Sequence, residues 1–257
     1  MGVNIHVLAE ERHRVIRDRL AADGRVLATE LASSFGVSED TIRRDLRELA
    51  RAGACRRVYG GAVPLAPAAA PPEVRATIAV AAKARLAAAA VRLLSPGQLV
   101  FIDAGTTNLA IARAIPPSLH VTVATNAVAV AGVIAAHPAA DLILLGGPFD
   151  RSLGASVGPE TVAAVDRLRA DLLFLGACGV DPAAGITAFS SAEAEVKRAM
   201  LRNAAGLVVA ATTDKVGTAA PYRVAPAASI TQLVVEEDAP EAVLSQFVAE
   251  GCIVQRA

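Results

Sequence analysis

The sequence predicts an α/β protein of two parts, a small helical domain followed by a larger and mostly parallel α/β domain. Three observations predict it. Residues 10–63 are charged and follow a helical pattern, and residues 64–72, PLAPAAAPP, contain too much proline for a helix or sheet interior. From Glu73 onward, short apolar runs alternate with amphipathic segments. We therefore expect domains at 1–63 and 73–257, joined by a linker at 64–72.

Composition excludes several classes of protein. The formal net charge is zero, with a slightly basic N-terminal part and a slightly acidic remainder, so nucleic-acid binding has to be argued from local placement. Cys55, Cys178 and Cys252 are far apart and form no Cys-x-x-Cys pair, which predicts neither a disulfide framework nor a metal site and fits a reducing cytoplasm. No signal-peptide pattern opens the chain, and charges such as Lys83 interrupt its apolar stretches. We expect a cytoplasmic protein with no membrane span, no metal and no cofactor.

Three helices are predicted before the linker. The first has the apolar stripe Val15, Ile16 and Leu20, and a tight turn with a glycine separates the second helix from the third. Ser38 is a good N-cap for the third helix, with acidic residues in its first turn. The predicted bounds are Glu10 to Ala22 with a stop at Gly24, Ala28 to Phe35 with a stop at Gly36, and a third helix over SEDTIRRDLRELARAG.

The third helix places arginines opposite its apolar face. Ile42, Leu46 and Leu49 share one face, so Arg44, Arg47 and Arg51 point away from the core. A helix, a tight turn and a second helix form a helix-turn-helix, whose second helix enters the major groove of DNA. CRRVYGGAV then predicts a basic hairpin, or wing. The alternative is a solvated helix face, because nearby acidic residues almost balance the arginines. The predicted DNA contacts are Ser38, Thr41, Arg43, Arg44, Arg47, Arg56, Arg57 and Tyr59.

The second domain opens with an anion-binding pattern. The apolar run Leu99 to Ile102 is followed by Asp103, Gly105, Thr106 and Thr107, and a helical pattern begins at Leu109. A strand that ends at the N-terminus of a helix presents free amides, hydroxyls and the positive end of the helix dipole, which together suit a phosphate. A simple turn with a helix cap is the alternative. The predicted strands are LVFI, VTVAT, LILLGG, DLLFLGA, GLVVAAT and QLVVEE.

Residues 11–63 closely resemble the winged helix-turn-helix of the DeoR family of bacterial transcriptional regulators, including VSEDTIRRDL and RRVYGGAV. The resemblance continues after the linker, with an Arg and a Lys eight residues apart, an Asp-x-Gly-Thr-Thr loop, Thr-Asn, Gly-Gly, Gly-Ala-x-Gly, EAxVKRAM and a late lysine. It implies a ribose-phosphate isomerase-like domain that senses phosphorylated sugars. The matching positions are Arg75 and Lys83, and the implied effector residues are Asp103, Gly105, Thr106, Thr107, Thr125, Asn126, Gly146, Gly147, Gly176, Gly179, Glu193, Lys197 and Lys215.

The resemblance and the chemistry together suggest a role for each group of effector residues. Gly105, Thr106 and Thr107 would receive the phosphate. Lys197 and Lys215 would supply positive charge. The hydroxyls of the sugar would contact Asp103, Asn126 and Glu193. Two departures from the family pattern remove carboxylates from this region, because Cys178 and Thr212 stand where family members often have Asp.

The resulting prediction is a repressor of carbohydrate-metabolism genes that binds operator DNA as a dimer or tetramer and responds to a phosphorylated sugar. We expect the oligomer interface to transmit the response, since a Pro/Ala linker alone would transmit it poorly. One alternative is an isomerase- or deaminase-like enzyme, which needs a positioned base. Glu193 keeps this alternative open, whereas His120 and His137 lie outside the predicted site elements. A regulator whose sensor no longer binds a ligand is a third possibility.

Overall fold

The computed structural model describes residues 8–64 and 72–257, so most of the predicted linker lies outside the described residues. The N-terminal helices are α1 (Ala9–Asp23), α2 (Ala28–Phe35) and α3 (Glu39–Arg51), and the strands of this part are β1 (Val26–Leu27), β2 (Arg56–Val58) and β3 (Gly61–Val63). Gly24 and Gly36 adopt left-handed backbone angles and close the first two helices, as predicted. The strands form an antiparallel sheet in the order β1-β3-β2, in which β1 was not predicted.

The second part contains seven helices and twelve strands within the described residues. The helices are α4 (Pro72–Thr77), α5 (Val80–Ala90), α6 (Thr106–Ala114), α7 (Val128–Ala135), α8 (Pro159–Val165), α9 (Ser191–Arg202) and α10 (Glu241–Ala249). The strands are β4 (Leu99–Ile102), β5 (Thr122–Thr125), β6 (Asp141–Leu144), β7 (Phe149–Asp150), β8 (Ala155–Ser156), β9 (Ala170–Leu175), β10 (Gly179–Asp181), β11 (Gly185–Ala188), β12 (Ala204–Ala211), β13 (Tyr222–Ala225), β14 (Gln232–Val235) and β15 (Ile253–Arg256).

The main sheet has seven parallel strands in the order β15-β14-β12-β9-β4-β5-β6. All six predicted strands belong to it, which confirms the predicted fold class of a winged helix-turn-helix followed by a mostly parallel α/β domain. The short strand β15 was missed. Two small antiparallel sheets, β10-β11-β13 and β7-β8, were also missed, because their strands lack the continuous Val, Leu and Ile runs from which the six strands of the main sheet were predicted.

Helices cover both faces of the main sheet, and successive residues of a strand alternate between the two cores. Val100 and Ile102 face α5, α6 and α7, whereas Phe101 faces α8, α9 and α10. The winged helix has a separate core around Ile16, Leu31 and Ile42. In the described part of the chain, no helix is both long and apolar enough to span a bilayer.

Candidate functional site

The recognition helix α3 is fixed at its start by Ser38. Its Oγ accepts a hydrogen bond from the amide of Thr41 at 3.2 Å and lies 3.0 Å from the Thr41 hydroxyl. Ile42, Leu46 and Leu49 are buried, as predicted, so the arginines of the opposite face are exposed. The hydroxyls of Ser38 and Thr41 are therefore engaged in the cap, and their contact with DNA stays a prediction.

The three predicted arginines of α3 differ in their surroundings. Arg43 donates to Glu39 at 2.7 Å and lies 3.6 Å from Asp40, so it would have to exchange these carboxylates for DNA. Arg44 and Arg47 are exposed, and no described residue forms an ion pair with either of them. These two side chains are the better placed to reach a DNA groove.

Asp45 is a buried positioning residue that sequence reasoning missed. It accepts two hydrogen bonds from Arg12, from Nε at 2.7 Å and from Nη2 at 3.0 Å, and it lies 3.1 Å from Nε2 of His13. Asp45 lies on the buried face of α3 beside its apolar residues, so these contacts hold α3 against α1. A bidentate arginine–carboxylate pair fixes geometry as well as charge, so Asp45 orients the recognition helix. Its one sequence signal is a carboxylate on the apolar face of the helix, three residues after Ile42 and four before Leu49.

The wing is the hairpin of β2 and β3, as predicted. Gly60 turns the chain with φ of 79°, and Gly61 packs against the carbonyl of Val26, where a Cβ atom would come within 1.9 Å of the oxygen. The Tyr59 side chain at the tip is 99% exposed, and Arg57 is exposed as well. Arg56 is half-buried, and its Nε has no hydrogen-bond partner among the described residues.

The predicted anion loop lies at the start of α6, and this helix begins at Thr106 rather than at Leu109. Gly105 precedes it with φ of 139°, and the amides of the first turn have no intrahelical acceptor. The earlier start places Thr106 and Thr107 within that turn. The Thr107 Oγ1 is buried and has no hydrogen-bond partner in the described residues. Unpaired donors at a helix N-terminus form a ready anion site.

A buried ion cluster lies directly beside this loop. The Lys197 ammonium donates to Oδ2 of Asp103 and to the carbonyl of Gly176 at 2.6 Å, and it lies 3.3 Å from Oε1 of Glu193. Lys197 is 1% exposed and Asp103 is 2% exposed. Burial lowers the pKa of Lys197, but the two carboxylates outweigh it and raise that pKa overall. The carboxylates of Asp103 and Glu193 therefore compensate the charge of Lys197. Lys197 and Asp103 stabilise the loop, and their charged groups are already engaged with each other.

The ion cluster leaves no space for a side chain at Gly176, the first glycine of the GACG segment. A Cβ atom on Gly176 would lie 2.3 Å from the carbonyl oxygen of Ala104 and 3.1 Å from Oδ2 of Asp103. Gly179 is similarly confined by the carbonyl of Thr218, at 2.6 Å. Close packing therefore explains both glycines without a ligand.

Glu193 and Cys178 face each other next to the ion cluster. The Cys178 Sγ lies 3.8 Å from Oε1 of Glu193, and Oε2 of Glu193 is buried without a hydrogen-bond partner among the described residues. Burial and the Glu193 charge raise the pKa of the Cys178 thiol. The thiol is therefore a neutral donor at physiological pH and not an activated nucleophile, while Glu193 keeps one oxygen available.

The Thr125–Asn126 and Gly146–Gly147 pairs follow β5 and β6. Thr125 Oγ1 accepts from the amide of Ala127 at 3.1 Å, and Asn126 Nδ2 donates to the carbonyl of Ser156 at 2.8 Å. The Oδ1 of Asn126 is buried and unpaired within the described residues. At Gly147, with φ of 143°, a Cβ would lie 2.2 Å from Oγ1 of Thr161, which donates to the carbonyl of Gly146 at 2.9 Å. Among these groups, the Asn126 oxygen has a free lone pair for a ligand.

Lys215 lies in the short turn after β12, so the late lysine also follows the carboxyl end of a central strand. Burial and the nearby Arg75 and Lys197 lower its pKa, against the opposing effect of Cys178 and Asp214. An anion in contact with Lys215 would stabilise its charged form, which burial and the neighbouring cations disfavour. The ends of the central strands thus bring together the loop of Thr106, the cluster of Lys197 and the turn of Lys215, whereas Gly146 and Gly147 lie beside Thr161.

Sequence reasoning missed one residue that builds this edge of the sheet. Asn108 Nδ2 donates to the carbonyls of Asp103 and Phe174, each at 3.0 Å. It therefore ties the ends of β4 and β9 to α6. An asparagine within a helix that follows a strand is a weak signal for such a role, because asparagine is also frequent in ordinary first turns.

Two family models match the two parts of the chain. Residues 12–67 match the model of the DeoR-like helix-turn-helix domain, and residues 78–237 match that of the DeoR C terminal sensor domain. The chain is 35% identical to the HTH-type transcriptional regulator GlpR of Haloferax volcanii, over 81% of this chain and 82% of that protein. It is 31% identical to the glycerol-3-phosphate regulon repressor of Escherichia coli, over 80% and 82% of the respective chains. A solved ribose 5-phosphate isomerase from Methanocaldococcus jannaschii matches with a TM-score of 0.39 and 17% identity over 52% of each chain.

Proposed function

The chain belongs to the DeoR family of transcriptional regulators, and we propose that it is a repressor of carbohydrate-metabolism genes whose DNA affinity is controlled by a phosphorylated sugar. α3 would enter the major groove, with Arg44 and Arg47 toward base edges, and the wing would place Arg57 and Tyr59 along the phosphate backbone. A homo-oligomer would position two winged helices on symmetric half-sites.

The observation that carries the effector proposal is the start of α6. Its first-turn amides and the unpaired Thr107 hydroxyl follow β4, and the half-buried Lys215 follows β12, so all of them lie at the carboxyl edge of the sheet, where ligands of open α/β sheets bind. The phosphate would bind at Gly105, Thr106 and Thr107. Hydroxyls of the sugar would meet Asn126 Oδ1 and Glu193 Oε2, the buried oxygens that lack partners in the described residues.

Binding without turnover is the chemistry that these groups support. Aldose–ketose isomerisation needs a positioned general base of tuned pKa. Asp103 is paired with Lys197, and Cys178 is held neutral, which leaves Glu193 as the sole candidate within the described part of the site. The relatives named above are transcriptional regulators. We therefore propose that the protein is not an enzyme; sustained isomerisation or deamination of a sugar phosphate by the purified protein would contradict this.

The decisive experiment pairs operator selection with a ligand panel. DNA fragments selected by the full-length protein provide the operator, and a thermal-shift panel of sugar phosphates identifies compounds that raise the melting temperature. A compound that stabilises the protein should also change its affinity for the selected fragment. Thr106→Val should abolish the thermal shift and leave DNA binding intact, whereas Arg44→Ala should do the reverse.

A further inference from the structure

The winged helix contacts the α/β domain at one end of its small sheet. Arg25, between α1 and β1, donates from Nη1 to the side-chain oxygen of Gln246 in α10. The carbonyl of Pro64, directly after β3, accepts from the amide of Ala219 at 3.2 Å. Since β1 and β3 are antiparallel neighbours, Arg25 and Pro64 lie at the same end of the sheet. Tyr59, 99% exposed, lies at the opposite end of β3, so this docking contact leaves the tip of the wing uncovered.

Arg25 is also attracted by a buried carboxylate of the α/β domain. Asp181 at the end of β10 is 2% exposed, and its Oδ1 accepts from the amides of Ala183 and Ala184 at 2.9 and 2.8 Å. Burial raises the pKa of Asp181, and the two amides and the charge of Arg25 oppose this rise. A cation from the winged helix therefore stabilises a carboxylate of the other domain, and this attraction adds to the hydrogen bond with Gln246.

The turn that carries Lys215 forms the other half of the docking contact. A Cβ atom on Gly217 would lie 3.9 Å from the carbonyl oxygen of Gly24, which ends α1. Ala219, two residues later, supplies the amide that donates to the residue after β3. The turn is also tied to the α/β domain, because the amide of Gly217 donates to the carbonyl of Val180 at 2.8 Å. Lys215, Gly217 and Ala219 thus belong to one short segment, and a shift of that segment changes both of its contacts with the winged helix.

We propose that the winged helix docks on the turn of Lys215 and on α10 of the same chain, and that the effector changes DNA affinity by shifting this docked arrangement. The inference rests on the proposed function, since it presumes an anion at Lys215. It gives a route from the effector to the recognition helix that bypasses the Pro/Ala linker and runs within one chain. A homo-oligomer must present two winged helices to half-sites at a fixed spacing, so the orientation of each one affects DNA affinity.

The small size of the docking contact suits this role. It consists of one arginine side chain and a few backbone groups, and single hydrogen bonds contribute little net free energy. A ligand with a modest preference for one arrangement is therefore sufficient to shift the population between docked and undocked winged helices. By linkage, docking then changes the affinity for the effector by the same factor.

Hydrogen exchange of the full-length protein tests the docked arrangement without a ligand. Arg25→Glu removes the side-chain hydrogen bond to α10 and places a negative charge near Asp181, so the winged helix should undock. Peptides of residues 24–27 and 215–220 should then exchange about tenfold faster or more, whereas β4 and β9 should keep their slow exchange and report an intact fold. The matched control is Arg17→Glu, the same charge reversal at an exposed position of α1, which should change exchange in these peptides by less than about twofold.

Operator gel shifts test the coupling, with inorganic phosphate and the panel of sugar phosphates as probes. The measured quantity is the ratio of DNA affinities with and without a saturating compound, so a direct effect of a substitution on DNA binding cancels. A compound that changes the DNA affinity of the wild type about fivefold or more should change that of Arg25→Glu by less than about twofold. It should still raise the melting temperature of Arg25→Glu, because Lys215 and the α6 loop are unaltered. Arg25→Lys should keep part of the response, and Arg17→Glu all of it.

The outcomes separate the inference from the proposed function. Faster exchange at residues 215–220 together with loss of the response in Arg25→Glu supports the inference. If Arg25→Glu exchanges or responds like the wild type, or if Arg17→Glu loses the response as well, the inference is wrong and the proposed function stands. If no probe raises the melting temperature of the wild type or changes its DNA affinity, both are wrong.

Discussion

Replacement of Lys197 by methionine is the sharpest test of the buried ion cluster. Methionine keeps most of the side-chain length, so the loss is mainly electrostatic. It leaves the carboxylate of Asp103, 2% exposed, without its partner. Removal of one member of a buried pair costs about 3–5 kcal/mol, which corresponds to a fall of about 6–20 °C in melting temperature for a domain of this size. The α/β domain of the Lys197→Met variant should therefore unfold at a lower temperature and a lower urea concentration than that of the wild type.

The cost should depend on pH in a defined direction. Burial already raises the pKa of Asp103, and loss of Lys197 removes the charge and the side-chain hydrogen bond that oppose this effect most, while the backbone hydrogen bond from Ala104 remains. A carboxyl whose folded pKa exceeds its unfolded value destabilises the fold at neutral pH, and this destabilisation decreases as the pH falls from the folded pKa toward the lower unfolded pKa. Urea unfolding followed by circular dichroism at pH 7.5 and 5.5 measures both effects. The variant should lose less stability at pH 5.5 than at pH 7.5, relative to the wild type.

The double variant Asp103→Asn, Lys197→Met is the control. It removes both charges, so it should be more stable at pH 7.5 than Lys197→Met alone. A cost below about 1 kcal/mol for Lys197→Met, or an equal cost at both pH values, would refute the claim that Lys197 compensates a buried carboxylate.

The remaining predictions concern the DNA-binding surface, the core of the winged helix and effector affinity. Arg44→Ala should reduce discrimination between operator and unrelated DNA by about 1–3 kcal/mol in competition gel shifts; unchanged selectivity would exclude Arg44 from base contact. Arg57→Ala should weaken binding to all sequences alike and lower the salt slope by about 1. Leu46→Ala should cost about 2–5 kcal/mol in urea unfolding, because Leu46 is buried in the core of the winged helix. Effector affinity should fall as pH rises toward 10.5, since burial and Arg75 lower the pKa of Lys215 and a bound anion favours its charged form. Calorimetry in buffers of different ionisation enthalpy should then show proton uptake; its absence at alkaline pH would place Lys215 away from the anion.

Much of the fold could be predicted because the relevant signals are local. The period of Ile42, Leu46 and Leu49 and the cap at Ser38 define α3 within its own residues. The start of α6 was misplaced at Leu109, because Thr106 and Thr107 are weak helix formers whose place in the first turn is stabilised by the packing of α6. The domain boundaries and the roles of the site residues stay predictions.

The roles of the individual residues in the candidate site were less predictable. Lys197 and Asp103 lie 94 residues apart in the chain, and no local pattern shows that they neutralise each other. Arg75 and Lys83 match a family pattern, yet their spacing alone does not show that the Lys83 ammonium donates to the carbonyl of Arg75.

The sequence by itself determined the family, the winged helix-turn-helix and the six principal strands, because capping, hydrophobic period and motif order are properties of short segments. The tertiary structure alone decided which charges are compensated and which remain available. Asp103 and Glu193 neutralise Lys197 at the edge of the sheet, whereas neither Lys83 nor Lys215 forms an ion pair with a described residue. Charge compensation depends on distances across segments that only folding brings together, and Coulomb interactions strengthen as burial removes the solvent between them.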